Sequence, residues 1–356
     1  MRKISVSNCE PGMILGKAIF HNGTVILLEI GTELTLSYVD RLRDLGITEI
    51  YIEDDISKDV VIHDVVKDET RLEAIEFIKN TMNAYISGEM PYSIEAIAVV
   101  NKIVNDILSS DDIIVNIIDI KTFDNYTFLH SVNVCVLSII TGVKLNLCYD
   151  ELKELGVGAL LHDIGKVFIP PEILQKKAAL TEFEYESIKQ HSLLGYNILK
   201  SLSNISENSA RVALNHHERC DGSGYPNGLH DDEIHIFSRI VAITDMFDAL
   251  TSDRIYRKKI NTDQAIEYLT AVAAPSLDSK VLYSFTNIIS PFPVGTGVIL
   301  NTGEKGLVIQ QNENLPTRPV IRIVFGKDGS KRFIFDEVNL AERKDYFIIS
   351  SAELIK

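Results

Sequence analysis

"LLHDIGK", residues 160–166, sets an imidazole beside a carboxylate directly after an apolar run. The preceding "GALL" marks this end of the segment as interior, and a buried histidine or aspartate requires a partner or a metal ion. His162 and Asp163 can enter a metal's coordination sphere together when a helix points them into a cavity. If that helix persists, Lys166 lies four residues beyond His162 on the same face. Gly165 then lets the backbone turn or pack closely.

Working outward, His130 in "DNYTFLHSVNV" heads a helix whose Val134, Leu137 and Ile140 follow the core-facing period. His191 closes "LTEFEYESIKQH", which opens on Thr181 and a run of acids suited to a helix N-terminus. "HHERCDGSGYP", residues 216–226, sets His216 and His217 ahead of a turn rich in glycine and proline. Asp245 sits within the apolar "IVAITDMFDALTSD", where a charge is costly unless paired or metal-bound. Each of these has a plain reading by itself: a satisfied core histidine, or a histidine pair in a solvated loop. Taken together they are five histidines and two aspartates on separate helices. That set supplies enough nitrogen and oxygen ligands for two divalent metal ions, and Fe and Mn accept the mixture. A two-metal site clamps the attacking and leaving oxygens of an in-line displacement at phosphorus.

The rest of the chain supplies no competing centre. Its 356 residues, 46% apolar and 24% charged, suit a folded protein of two or three domains. A net charge of -15 argues against a general nucleic-acid or anionic-membrane binder, so a phosphate ligand needs local cations or metal. Cys9, Cys135, Cys148 and Cys220 show no C-x-x-C spacing, no secretory signal is evident, and no apolar run is long enough to span a bilayer. A reduced cytoplasm is the expected setting. The fold class is mainly α. Residues 1–63 read as a small α+β domain, 64–111 as a helical connector, 112–275 as an all-helical core, and 276–356 as a β-rich extension.

With these motifs in order, the chain resembles the HD-GYP family of bacterial cyclic dinucleotide phosphodiesterases, a branch of the HD-domain metal phosphohydrolases. The resemblance covers about residues 112–275 and rests on "HDIGK", "LTEFEYESIKQH", "HHERCDGSGYPNGL" and "DMFDALTSDRIYRK". It implies that His130, His162, Asp163 and Asp245 hold one metal, and that His191, His216 and His217 hold the second with Asp163 bridging. It further implies that Lys166 holds the scissile phosphate, that Arg254, Arg257 and Lys258 neutralise the other one, and that the loop carrying Tyr225 covers the substrate. The implied reaction is hydrolysis of cyclic di-GMP to pGpG, to GMP or to both, by a hydroxide bridging two ions, Fe or Mn. Other readings are a silent cyclic dinucleotide receptor, which a turnover assay separates, and a phosphohydrolase acting on another cyclic nucleotide. A homodimer or a signalling partner protein is compatible with either.

Two positions depart from the family pattern. Members with a third metal carry a glutamate one helical turn before the first histidine; here that residue is Tyr126, a poor ligand, and Asp124 lies off the shared face. Two ions are therefore expected. The segment after the GYP loop reads "GLHDDEI", with His230, Asp231 and Asp232 expected to form a solvated polar turn.

Overall fold

The computed structural model describes residues 1–21, 25–88, 93–110, 126–252, 259–313 and 315–355. They divide into two compact units, one built from both ends of the chain and the other from its middle.

In the first unit, β1 (Arg2–Ser5), β2 (Ile14–Leu15), β3 (Ile19–His21), β4 (Val25–Leu28), α1 (Leu36–Asp44) and β5 (Glu49–Glu53) follow in order. An antiparallel sheet β1-β5-β2 packs its alternate residues Ile4, Ile50 and Ile52 with Val39 and Leu42 of α1, and β3-β4 form a separate pair. Thr35 caps α1 by accepting from the Tyr38 amide. Near the other end of the chain, β6 (Gly297–Leu300), β7 (Lys305–Gln310), β8 (Val320–Phe325), β9 (Glu337–Asn339) and β10 (Ile348–Ser351) make an antiparallel sheet in the order β10-β6-β7-β8-β9. Its inner residues Val298, Leu307, Val308 and Ile321 share one apolar core with Tyr51, Ile56, Val60 and Ile62. Arg322 of β8 reinforces that junction with a two-pronged ion pair to Asp59, both contacts at 2.6 Å.

The second unit is helical: α2 (Asp68–Ile86), α3 (Ser93–Ser109), α4 (Tyr126–Lys144), α5 (Tyr149–Leu160), α6 (Pro171–Leu174), α7 (Glu182–Lys200), α8 (Glu207–Asn215), α9 (Ile236–Thr251), α10 (Thr262–Tyr268) and α11 (Ser279–Thr286). From Val132 to Ile140, α4 is buried on every side, with α2, α5, α9 and α11 packed around it. A polar group on that helix needs a partner, as Ser138 shows by bonding Thr244 of α9 at 2.8 Å. The expected acidic start of α7 is a capping box, in which Thr181 and Glu184 each satisfy the other's backbone amide. Among the described residues no helix is long and apolar enough to cross a membrane.

One local expectation is corrected. The helix before the histidine–aspartate pair stops at Leu160, and residues 164–168 form a tight 3-10 turn. His162 and Lys166 therefore do not share a helical face. The turn instead presses against α7: a Cβ on Gly165 would lie 2.0 Å from the His191 carbonyl oxygen. Glycine is what permits the approach.

Candidate metal centre

The five histidines and two aspartates expected to bind metal reach the same place from five parts of the helical core. His130 comes from the second turn of α4, His162 and Asp163 from the turn after α5, and His191 from the middle of α7. His216 caps the C-terminus of α8, His217 follows it, and Asp245 lies on α9. Ser209 holds α8 in place by donating to the Glu154 carbonyl at 2.7 Å. The ligand atoms of His191, His216 and His217 lie within 4.8 Å of one another, as do those of His130, His162 and Asp245. Asp163 stands between the two groups. Its Oδ2 is 3.3 Å from His162 Nε2 and 3.7 Å from His130 Nε2, while its Oδ1 is 3.4 Å from His191 Nε2 and 3.9 Å from His216 Nε2.

Hydrogen bonding fixes the chemistry of four of these rings. His162 Nδ1 donates to the Ala159 carbonyl at 2.8 Å, His191 Nδ1 to Ile188 at 2.7 Å, and His216 Nδ1 to Ala213 at 3.0 Å. His130 Nδ1 donates to the Asp248 carboxylate at 2.7 Å. With Nδ1 protonated, every neutral ring turns the lone pair of Nε2 inward, the arrangement in which outer partners set the tautomer of metal-ligating histidines. His191 Nε2 and His216 Nε2 then face each other lone pair to lone pair at 3.3 Å. His162 Nε2 and Asp163 Oδ1 are buried without a hydrogen-bond partner among the described residues. A cation resolves both features, so these residues fit a divalent metal.

Three of the histidines and both aspartates hold the charge state that ligation needs, while His130 must give up a proton to a bound metal. Burial pushes His191 and His216 below the ordinary histidine range and lowers His217 to about 3, which favours the neutral, ligating form. Burial opposes the charge on His130 as well, but Asp245 and Asp248 outweigh it and raise that ring to about 9. Burial also opposes ionisation of Asp163 and Asp245. The Lys166 ammonium and neighbouring imidazoles overcome it at Asp163, and His130 does so at Asp245, so both carboxyls are held well below their usual range.

The other predicted residues divide by position. Lys166 reaches the site and pairs directly with Asp163 Oδ2. Tyr225 stacks on His217 with ring centroids 4.7 Å apart, and Lys189 of α7 lies over both the Tyr225 and Tyr185 rings. Arg254, Arg257 and Lys258 lie outside the described residues, as does Asp124, and the Tyr126 side chain is not described. His230 and Asp232 are exposed, and Asp232 pairs with Arg239 at 3.2 Å.

Sequence reasoning missed the supports of the site. Asp248, one turn beyond Asp245, orients His130, and a second acid in an apolar helix was the available signal. Buried Glu218, immediately after the histidine pair, accepts from the Asn227 amide at 2.8 Å and the Leu229 amide at 3.0 Å, closing the loop that carries Tyr225. Gly224 lets that loop close, since a Cβ there would meet the Arg219 nitrogen at 2.4 Å.

A helical bundle whose facing elements send histidines and carboxylates to one buried point defines a metal-site protein of the histidine–aspartate type. Comparison with known families agrees: residues 123–281 match the HD domain and residues 297–354 match a KOW domain associated with the HD domain. The HHE segment at 216–218 and the GYP segment at 224–226 both lie inside the residues that match the HD domain. The chain is 35% identical over 226 residues to a cyclic di-GMP phosphodiesterase of Pseudomonas aeruginosa, covering 64% of this chain and 54% of that protein. It is 38% identical over 179 residues to 3'3'-cGAMP-specific phosphodiesterase 1 of Vibrio cholerae, covering 50% and 41%. The chain thus spans about half the length of the curated relatives it matches. An HDGYP protein from Bdellovibrio bacteriovorus shares the fold, with a TM-score of 0.51 at 17% identity over 80% of this chain and 98% of that one.

Proposed function

We propose that this chain is a metal-dependent phosphodiesterase that hydrolyses cyclic di-GMP to pGpG and on to GMP. The observation that carries the reading is Asp163, whose two carboxylate oxygens face separate groups of inward-turned imidazoles. His130, His162, Asp163 and Asp245 would hold one divalent ion, and His191, His216 and His217 with Asp163 the other, with Fe or Mn suited to this donor set. Bound there, such ions supply activated water and offset charge on the phosphate.

The remaining residues do separate work. Lys166 is the cation nearest Asp163 and is positioned to neutralise a phosphoryl oxygen once that carboxylate is committed to metal. Tyr225 offers an aromatic face beside the cluster, where a nucleobase can stack, with the Lys189 ammonium alongside. Water adds to phosphorus, the P–O3' bond breaks, and the 3' oxygen leaves as a hydroxyl. One turnover opens the ring and leaves a 5' phosphate on the linear product.

The relative specific for 3'3'-cGAMP supports a second substrate reading, because its 38% identity to this chain lies between the 35% and 43% of cyclic di-GMP phosphodiesterases. Anaerobic loading with Fe(II) or Mn(II), followed by chromatography of products from both dinucleotides, tests the proposal. Faster release of pGpG from cyclic di-GMP is expected. Faster cleavage of 3'3'-cGAMP would reassign the substrate, and tight binding without turnover of either would make the chain a receptor.

A further inference from the structure

His130 is held in place by a chain of hydrogen bonds that leaves the HD domain. Its Nδ1 donates to Asp248 Oδ2, which also accepts from Ser252 at 3.2 Å. The other carboxylate oxygen accepts from Asn133 Nδ2 at 3.0 Å. That bond commits the Asn133 amide to one orientation, with Oδ1 turned away from Asp248, and Oδ1 accepts from Arg71 at 3.0 Å. The guanidinium therefore selects the amide orientation that supports the carboxylate. The flipped amide would set oxygen against oxygen.

Arg71 lies in the first turn of α2, outside the residues 123–281 matched by the HD domain. The chain passes from one compact unit to the other at Asp64–Val65, only a few residues earlier. α2 packs on both α4, which carries His130, and the 3-10 turn that carries Lys166. A partner of the far nitrogen of a ligating imidazole sets ring orientation and basicity. We infer that Arg71 is a positioning residue of the metal centre, acting on His130 through Asn133 and Asp248. The inference rests on reading the cluster as a metal centre, and it makes the segment before the HD domain part of that centre.

Titration of the metal-stripped chain with Mn(II), followed by electron paramagnetic resonance of the free ion, tests this without substrate. Arg71→Ala is expected to bind Mn(II) roughly 3- to 10-fold more weakly, less than the roughly 10- to 100-fold typical for loss of a direct outer partner. Arg71→Lys, which keeps a donor, should recover most of the affinity, and Arg211→Ala, on an exposed pair with Glu207, should match the parent. In an Asn133→Ala background, Arg71→Ala should add nothing, because the link is already broken. If Arg71→Ala does not fold, Arg71→Met keeps the apolar stem, removes the donor and should show the same weakening. A parent that binds no Mn(II) overturns the metal-centre reading itself. A parent that binds while Arg71→Ala or Arg71→Met binds equally well, or full additivity with Asn133→Ala, overturns the role of Arg71 alone.

Discussion

Replacing Glu218 by glutamine should loosen the loop that carries Tyr225 while leaving the metal ligands in place. The glutamate is buried, and its two oxygens accept separately from the amides of Asn227 and Leu229 at 2.8 and 3.0 Å. Glutamine keeps one oxygen, so one amide retains an acceptor, now uncharged, and the other faces an NH2 group. A hydrogen bond to a charged group contributes about 1.5 to 3 kcal/mol, and an unsatisfied buried donor costs about 1 to 3 kcal/mol. About 3 kcal/mol is therefore lost locally, which raises the opening equilibrium of the loop about 10²-fold. Hydrogen exchange at Asn227 and Leu229 should accelerate by about that factor, while exchange in the buried middle of α4 stays unchanged. The stack of Tyr225 on His217 should loosen with it, raising the KM for the proposed substrate, cyclic di-GMP, at constant metal content. Unchanged protection at both amides would refute the anchoring role, and loss of metal would show that Glu218 supports the ligands instead.

Three further outcomes follow from the geometry. Asp163→Ala should lose metal from both halves of the site, so elemental analysis still finding two ions per chain would refute a bridging carboxylate. Gly165→Ala forces a Cβ against the His191 carbonyl and should destabilise the protein by about 3 kcal/mol or more, read as a lower melting temperature; an unchanged melt would show that the turn can withdraw from α7. Metal-stripped protein should be less stable at about pH 5.5 than at about pH 7.5. His191, His216 and His217 have lowered values, so below the unfolded histidine value of about 6.5 the unfolded chain takes up protons that the folded one refuses. His130, raised to about 9, works the other way, its contribution being complete below about 6.5 and lost as pH rises through 9. Three rings against one leave a net loss of stability in acid, and thermal melts at the two pH values check the sign.

The helical core and the members of the histidine–aspartate cluster were legible in the chain because both depend on local chemistry. The period of Val134, Leu137 and Ile140 marks a buried helix, and histidines or acids beside apolar runs mark polar groups that need partners. Thr181 and Glu184 announce the start of α7 from a spacing of three residues, which a capping box requires. The end of α5 was less readable. "HDIGK" is compatible with a continuing helix, and the break after Leu160 becomes intelligible only when Gly165 is set against the backbone of α7. Partners distant in sequence were not readable at all. His130 and Asp248 are 118 positions apart, and nothing in either segment states that one will orient the other. Likewise, Tyr51 and Ile62 share a core with strands from beyond residue 296, although each stretch alone reads as an ordinary amphipathic segment. Residue type and periodicity decide which groups must be buried or paired. Only the folded backbone decides which group each one meets, because a hydrogen bond needs its two atoms within about 3 Å and the sequence carries no such distance.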